Sequence, residues 1–188
     1  MWPNLQRAHP SAEPLRKSFP YGEPIIMSAR KPALLEYLEA KGITLKDLID
    51  TALEFFVPHP GVETKEEAAR LLEEEFNVAL SDINVSSLEV ASFVLQEEAY
   101  AGRIPGLSRE RFLGRPGLVA DEMLGLAIAS YIGGARGIFE FTRFDVTKPG
   151  ILQKLGPIAN DAIGGLIAGV SSNVYTLAYR KAASMVKE

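Results

Sequence analysis

The sequence predicts an all-α protein, folded as a compact bundle of six to eight helices. After residue 32, apolar residues recur three and four positions apart, which is the spacing of one helix face. Residues that cap or break helices separate these stretches, and no two segments alternate convincingly as a pair of β-strands. Glycines in the last two apolar stretches favour close contacts between helices, and they lie at positions 125, 133, 134, 164, 165 and 169.

The first two predicted helices are short and have clear ends. Pro32 suits a first helical position, and the leucine stripe that follows it ends at Gly42. Thr44 is a suitable N-cap for the second helix, and the Pro-His-Pro-Gly segment at 58–61 ends that helix.

The next two helices follow from the same kind of signal. Thr64 and Glu67, three residues apart, predict a capping box at the start of the third helix. Asp82 or Asn84 begins the fourth helix, which closes near Gly102.

Three further helices complete the predicted bundle. A short one is capped by Ser108 and runs to about residue 113. A long one runs from about residue 118 to 133 or beyond, and the last runs from about residue 157 to 185.

The helical pattern divides the chain into a tail and one domain. Residues 1–28 form a proline-rich N-terminal extension, because prolines at 3, 10, 14, 20 and 24 forbid any long helix there. Residues 29–188 form a single all-α domain. Met27 stands directly before the first helical signal and is a candidate physiological start.

Composition excludes several classes of function. The 188 residues carry a net charge of −4, so general affinity for nucleic acid is not expected. The chain has no cysteine, which excludes disulfides, thiolate zinc sites and cysteine nucleophiles and is consistent with a cytoplasmic protein. Its two histidines, His9 and His59, are far in sequence from the acidic motifs, so histidine-phosphatase and Ser-His-Asp chemistry are not expected.

Two apolar stretches, near 123–139 and 162–179, are as long as short membrane spans. Arg136 and Asn173 interrupt them, and acidic residues stand at their starts. A spanning helix needs about 20 mainly apolar residues. We therefore interpret both stretches as buried helices of a bundle without stable membrane insertion.

An acidic residue heads each of these apolar helices. Asp121 and Asp161 both begin an Asp-x-x-x-Gly-Leu sequence, and Glu122 follows the first of them. A carboxylate beside such an apolar helix is costly unless a cation neutralises it. Asp121, Glu122 and Asp161 are therefore candidate ligands for Mg²⁺ or Mn²⁺, which prefer oxygen ligands.

A charged segment, residues 143–150, lies between the two acidic helix starts. Lys148 and Arg143 are candidates to bind a substrate phosphate, and Asp145 is a candidate further ligand or general base. The sequence leaves open whether Asp145 or Asp161 accepts the proton, and whether an aspartyl-phosphate forms. The predicted catalytic set is Asp145, Lys148 and Asp161.

Weaker candidates and a structural alternative remain beside this set. Three residues are candidates to orient the metal ligands by hydrogen bonds: Asp82, Asn84 and Asn160. Alternatively, Asp161 and Asp82 are only helix N-caps, and residues 143–150 are a solvated loop.

Three motifs in order resemble the phosphatidylglycerophosphatase A superfamily. They are Asp121-Glu122-Met-Leu-Gly125, Asp145-Val-Thr-Lys148-Pro149 and Asn160-Asp161-Ala-Ile-Gly164-Gly165. The chain departs from that family in having Asn160 where the family has Asp, and in lacking its glycine- and threonine-rich N-terminal motif. The segments at 80–85, 137–141 and 148–157 are most similar to a soluble archaeal branch, the α-ribazole-5′-phosphate phosphatases (CobZ type), over about residues 32–180.

The resemblance implies an all-α fold, a divalent metal and hydrolysis of a phosphomonoester. The substrate it implies is α-ribazole 5′-phosphate, converted to α-ribazole in cobalamin biosynthesis. Two alternatives stay open: a phosphatidylglycerophosphate phosphatase of lipid synthesis, and a non-enzymatic helical dimerisation or binding module. The expected partner is a small-molecule phosphate, and a homo-oligomer is also compatible with the sequence.

Overall fold

The computed structural model describes residues 31–114 and 118–185, with side chains described through residue 184. The proline-rich extension and Met27 therefore lie outside the described residues. The described part contains seven α-helices and one short 3-10 helix, so the prediction of an all-α bundle is confirmed. In chain order these are α1 (Ala33–Ala40), α2 (Leu45–Leu53), α3 (Lys65–Leu80), α4 (Ile83–Tyr100), α5 (Arg109–Leu113), α6 (Ala120–Thr147), the 3-10 helix (Gly150–Lys154) and α7 (Pro157–Met185).

Side-chain caps begin four of the helices, at Thr44, Thr64, Asp82 and Ser108. The complete capping box is at Thr44, whose backbone N–H donates to Asp47 in return. The box predicted at Thr64 is only half formed. Thr64 accepts from the N–H of Glu67, but the Glu67 carboxylate accepts from the N–H of Glu63 at 3.3 Å.

Helix α6 reverses its direction at Gly134, where φ is 60° and ψ is −146°. In a straight helix Gly125 and Phe141 would be about 24 Å apart. A Cβ atom built on Gly125 would instead lie 2.6 Å from the Phe141 ring, and one on Gly137 would lie 2.1 Å from the carbonyl oxygen of Ala129. Residues 120–133 and 135–147 therefore lie side by side, and we call this unit the α6 hairpin.

The first half of the hairpin, residues 120–133, agrees with the predicted helix from about residue 118 to 133, whereas the sequence predicted neither the reversal nor a helix over residues 135–147. Only glycine adopts this backbone conformation readily, because a Cβ atom would clash with the neighbouring peptide.

Helix α7 is the central element of the core. Every residue from 158 through 172 is buried, and α7 packs against α3, α4 and the α6 hairpin. The backbones approach closely at glycines, as the sequence predicts: a Cβ on Gly165 would lie 2.2 Å from the carbonyl oxygen of Gly125. This packing fixes the first turns of α7 beside both ends of the hairpin.

No single helix in the described ranges is long and apolar enough to cross a membrane. In the part of the chain that the structure describes, one pair of helices, α3 and α4, is long and apolar enough when taken together, and the two are bent by 82° relative to each other.

Candidate active site around Lys148

Lys148 lies at the centre of the predicted site. Its ammonium donates to Asp145 Oδ1 at 3.0 Å, to Asp161 Oδ1 at 2.9 Å and to Asn160 Oδ1. Asp121 is close enough for its charge to act on Asp161. We call Asp121, Asp145, Lys148, Asn160 and Asp161 the Lys148 cluster.

The backbone at Lys148 is held in an unusual conformation. Among the residues that the structure describes, Lys148 is the one non-glycine residue with positive φ, at φ 47° and ψ 59°. For a non-glycine residue this left-handed conformation costs about 1–2 kcal/mol. Its backbone N–H donates to the Phe144 carbonyl oxygen at 2.7 Å, at the end of α6. Its side chain reaches three acceptors. Such strain persists where the surroundings hold it, often at functional sites.

Asp161 lies inside α7 and does not cap it. The helix begins at Pro157, so Asp161 is in the second turn. The cap comes from α4, where Gln96 Oε1 accepts from the N–H groups of Ile158 at 3.2 Å and Ala159 at 3.0 Å. The Asp161 side chain is only 4% exposed. The N-cap alternative for Asp161 is therefore excluded.

The α6 hairpin accounts for the convergence of the acidic residues. Asp121 is in the first turn of α6 and Asp145 is in its last turn, and the reversal at Gly134 brings these two ends together. The start of α7 adds Asp161 to the same place. Three carboxylates and one ammonium carry a formal charge of −2 when all are ionised. This surplus negative charge favours an additional cation.

Burial and repulsion shift the ionisation of the cluster. Burial raises the pKa of Asp161 to about 6, the charges of Asp145 and Asp121 act in the same direction, and Lys148 opposes them. Burial acts to lower the pKa of Lys148, but its hydrogen bonds to Asp161 and Asp145 outweigh this and raise it. Lys148 is therefore a cation at neutral pH, and the carboxylates around it are incompletely neutralised.

Two predicted residues, Arg143 and Glu122, have no side-chain hydrogen bond to the cluster among the contacts of the described residues. Arg143 bonds Glu140 at 2.7 Å and the Phe55 carbonyl at 3.4 Å, and its guanidinium lies 5.0 Å from the Phe55 ring centre. Glu122 is exposed, and its backbone N–H donates to Asp121 at 3.0 Å.

Asp82 and Asn84 lie at the other end of the first half of α6. Asp82 caps α4 and accepts from the Tyr131 hydroxyl at 3.0 Å, while the Asn84 side-chain amide donates to the same hydroxyl at 2.8 Å. Tyr131 is ten residues after Asp121, about 15 Å along the helix. The structure therefore gives Asp82 the capping role and places neither residue at the cluster. Asn160, in contrast, binds Lys148 directly.

Sequence reasoning missed two polar residues of α4, Gln96 and Glu89. Gln96 caps α7 just before Asn160, and no local sequence signal indicates this. Glu89 is fully buried, and neither carboxylate oxygen has a hydrogen-bond partner among the described residues. Glu89 lies four residues from both Val85 and Phe93, on the buried face of the helix. This helical spacing could have predicted its burial from the sequence.

The carboxylates of the cluster could supply one or two ligands to Mg²⁺, but not a complete coordination shell. Within the described ranges, no group of three or more His, Asp or Glu residues is placed to hold a metal ion. Mg²⁺ commonly uses one or two carboxylates, keeps several waters and takes its other ligands from a substrate phosphate. Asp145 and Asp161 already face a single cation, the Lys148 ammonium, and Asp121 lies near them.

Comparison with solved structures shows a shared fold. A protein of unknown function from Bacillus stearothermophilus matches with a TM-score of 0.65 and 22% identity, over 78% of this chain and 98% of that one. The low temperature requirement C protein from Listeria monocytogenes matches with a TM-score of 0.65 and 22% identity, over 80% and 99%. Protein ypjQ from Bacillus subtilis matches with a TM-score of 0.64 and 17% identity, over 78% of this chain and 93% of that one.

Comparison with known sequences shows a family. No protein-family model matches the chain. The uncharacterized protein MJ1330 from Methanocaldococcus jannaschii is 37% identical over 118 residues, which are 60% of this chain and 90% of that protein. At this identity and coverage, the chain belongs to the same family as MJ1330.

Proposed function

We propose that the chain is a Mg²⁺-dependent phosphomonoester hydrolase and that the Lys148 cluster is its active site. The observation that carries the proposal is the ammonium of Lys148, whose side chain is 39% exposed, held by Asp145 and by the buried Asp161. A lysine ammonium binds phosphate as a point charge. An oxygen-rich acidic surrounding suits a hard divalent cation. The lysine ammonium and a divalent cation held by the carboxylates would together neutralise the negative charge of the phosphoryl group, as phosphoryl transfer requires.

The residues divide the chemistry by their exposure. Lys148 would donate to a phosphoryl oxygen and stabilise the negative charge that develops there. Asp161, which is buried, and Asp121 would hold the metal. Asp145, 26% exposed, would accept the proton of the water whose oxygen bonds to phosphorus. The ester P–O bond would break, and the leaving oxygen would take up the proton that Asp145 had accepted. When bound, Mg²⁺ supplies further neutralisation of the phosphoryl oxygens.

The substrate we propose is α-ribazole 5′-phosphate, hydrolysed to α-ribazole in the cytoplasm as a step of cobalamin biosynthesis. The support is the resemblance of the three ordered motifs to the archaeal α-ribazole-5′-phosphate phosphatases. All three motifs contribute to the Lys148 cluster, through Asp121, through Asp145 with Lys148, and through Asn160 with Asp161.

Phosphate release in the presence of Mg²⁺ tests the proposal. The substrates are α-ribazole 5′-phosphate, a set of nucleoside monophosphates and phosphatidylglycerophosphate. We expect the wild type to hydrolyse the first of these, and Lys148→Ala to lower kcat/KM by an amount corresponding to about 2–4 kcal/mol. Lys148→Arg should restore activity only in part, because a planar fork does not replace a point charge.

Lys154→Ala is the matched control, because Lys154 is an exposed lysine of the adjacent 3-10 helix. It should leave kcat/KM unchanged. Hydrolysis of phosphatidylglycerophosphate alone would assign the lipid substrate instead. No release from any of these phosphates would contradict the enzyme proposal and favour a helical dimerisation or binding module.

A further inference from the structure

We propose that a second site binds a small amphipathic anion, a molecule with an apolar body and one carboxylate, sulfonate or phosphate group. The site is a cavity of about 450 Å³ between the second half of the α6 hairpin, the middle of α7 and the loop after α2. This volume lies within the range of about 300–1,000 Å³ that is usual for small-molecule sites. The inference does not depend on the proposed phosphatase activity.

The Arg136 end of the cavity lies away from the Lys148 cluster. Its lining residues on α7 are Ser172 and Tyr175, 11 and 14 residues after Asp161. At the rise of an α-helix these positions are about 17 and 21 Å from Asp161 along the axis. On α6 the cavity begins at Ala135 and Arg136, directly after the reversal at Gly134. It ends at Arg143, whose guanidinium packs on Phe55 and not on the cluster.

The charged groups of the lining favour an anion. Arg136 and Arg143 both line the cavity, and Glu140 is the one carboxylate among the lining residues described. Glu140 pairs with Arg143 at 2.7 Å, whereas Arg136 donates to the neutral hydroxyl of Thr176 at 2.8 Å. The guanidinium of Arg136 thus keeps donors available for an anionic group. The positive end of the helix dipole of residues 135–147 adds to its charge.

The apolar part of the lining favours an occupant with a hydrophobic body. Phe139 is 71% exposed and Val57 is 59% exposed, although both border the cavity. A ligand that covers them removes this apolar surface from water. Tyr175 forms a wall whose position is fixed, because its hydroxyl accepts from the Val57 N–H at 3.0 Å and its ring meets His59 edge-on. The cavity is therefore formed before a ligand arrives.

Calorimetric titration of the full chain with three naphthalene probes tests the proposal. The probes are 2-naphthalenesulfonate, the neutral 2-naphthalenemethanol and the cationic 2-naphthylmethylamine, which share one apolar body. We expect the sulfonate to bind about tenfold more tightly than the alcohol, and the amine most weakly. Arg136→Met should weaken sulfonate binding about tenfold and leave alcohol binding nearly unchanged, since methionine keeps the apolar stem.

Two variants control for place and shape. Arg109→Met removes an exposed arginine of α5, outside the cavity, and should change none of the affinities. Ala135→Trp fills the cavity from an exposed position and should abolish binding of all three probes. Equal affinity for the three probes, no binding of the sulfonate, or sulfonate binding that Arg136→Met leaves unchanged would each overturn the proposal.

Discussion

At Asp161, burial and charge oppose each other directly. Its carboxylate is buried, two other carboxylates act on it, and one ammonium neutralises it. A buried charge with incomplete compensation destabilises a protein, and natural proteins keep such charges mainly where function requires them. Since Gln96 caps α7, Asp161 is not needed to begin the helix.

The substitution Asp161→Asn separates these roles. We expect it to remove most phosphatase activity, because a neutral amide binds Mg²⁺ poorly in place of a carboxylate. We also expect it to raise the melting temperature of the metal-free protein, because it removes repulsion from Asp121 and Asp145. Asp121→Asn, made for comparison, should raise the melting temperature less, because Asp121 is less buried and its charge is less costly. Wild-type activity in Asp161→Asn would contradict its role at the metal.

Glu89 makes stability depend on pH. Burial raises its pKa to about 8, so between about pH 4.5 and 8 the carboxyl is protonated in the folded protein and ionised in the unfolded chain. The unfolded state then binds fewer protons, and the free energy of unfolding falls as pH rises, by at most about 1.4 kcal/mol per pH unit from this group.

Urea unfolding at pH 5, 6.5 and 8 measures this contribution. Glu89→Gln, which cannot ionise, should gain in free energy of unfolding relative to the wild type as the pH rises. Glu73→Gln, on the exposed surface of α3, is the control and should follow the wild type at every pH. Parallel curves for Glu89→Gln and the wild type would show that Glu89 is ionised throughout, against our expectation.

At the scale of the elements, the helix ends were predictable and the turn inside α6 was not. Thr44, Ser108 and Pro157 begin helices in the structure as they do in the sequence pattern, because caps and proline act over a few residues. Glycine marks a possible helix end near residue 133, but no local signal shows that the chain then turns back as a second helix. Position 133 was predicted as a possible helix end, and the Gly133-Gly134 pair as a close helix contact, but not as a reversal.

The α6 hairpin therefore depends on Gly134 itself. Apart from the adjoining peptides and the nearby backbone of the same helix, a Cβ at this position would meet nothing within 4 Å, so the effect of Gly134→Ala comes from its backbone conformation alone. At φ 60° and ψ −146° we expect a loss of about 1–3 kcal/mol in the free energy of unfolding. Ser130→Ala, at an exposed position of the same helix, should change it by less than about 0.5 kcal/mol. An unchanged stability in Gly134→Ala would mean that the reversal does not need glycine.

At the scale of the whole molecule, the site is the place where three distant segments meet. The motifs identified Asp121, Asp145, Lys148 and Asp161 as candidates, but their convergence requires both the hairpin and the burial of α7. Spacing does not give side-chain direction, so Arg143 was placed with Lys148 although it packs on Phe55. The side-chain direction of Asp82 was likewise not given by spacing. Its carboxylate accepts hydrogen bonds from the backbone at the start of α4, so it caps that helix.

The fold and the metal site should respond separately to removal of divalent cations. The core consists of apolar side chains around α7, while the Lys148 cluster lies at one end of that helix, so the fold does not rest on the metal. We expect a chelator to abolish phosphate release and to leave the helical circular dichroism signal intact. Added Mg²⁺ should raise the melting temperature with increasing concentration, because a ligand that binds only the folded state stabilises it. In Asp161→Asn this rise should be lost, whereas Glu73→Gln should keep it. Full activity after exhaustive chelation, or a Mg²⁺-dependent rise that persists in Asp161→Asn, would place the metal elsewhere or remove it from the mechanism.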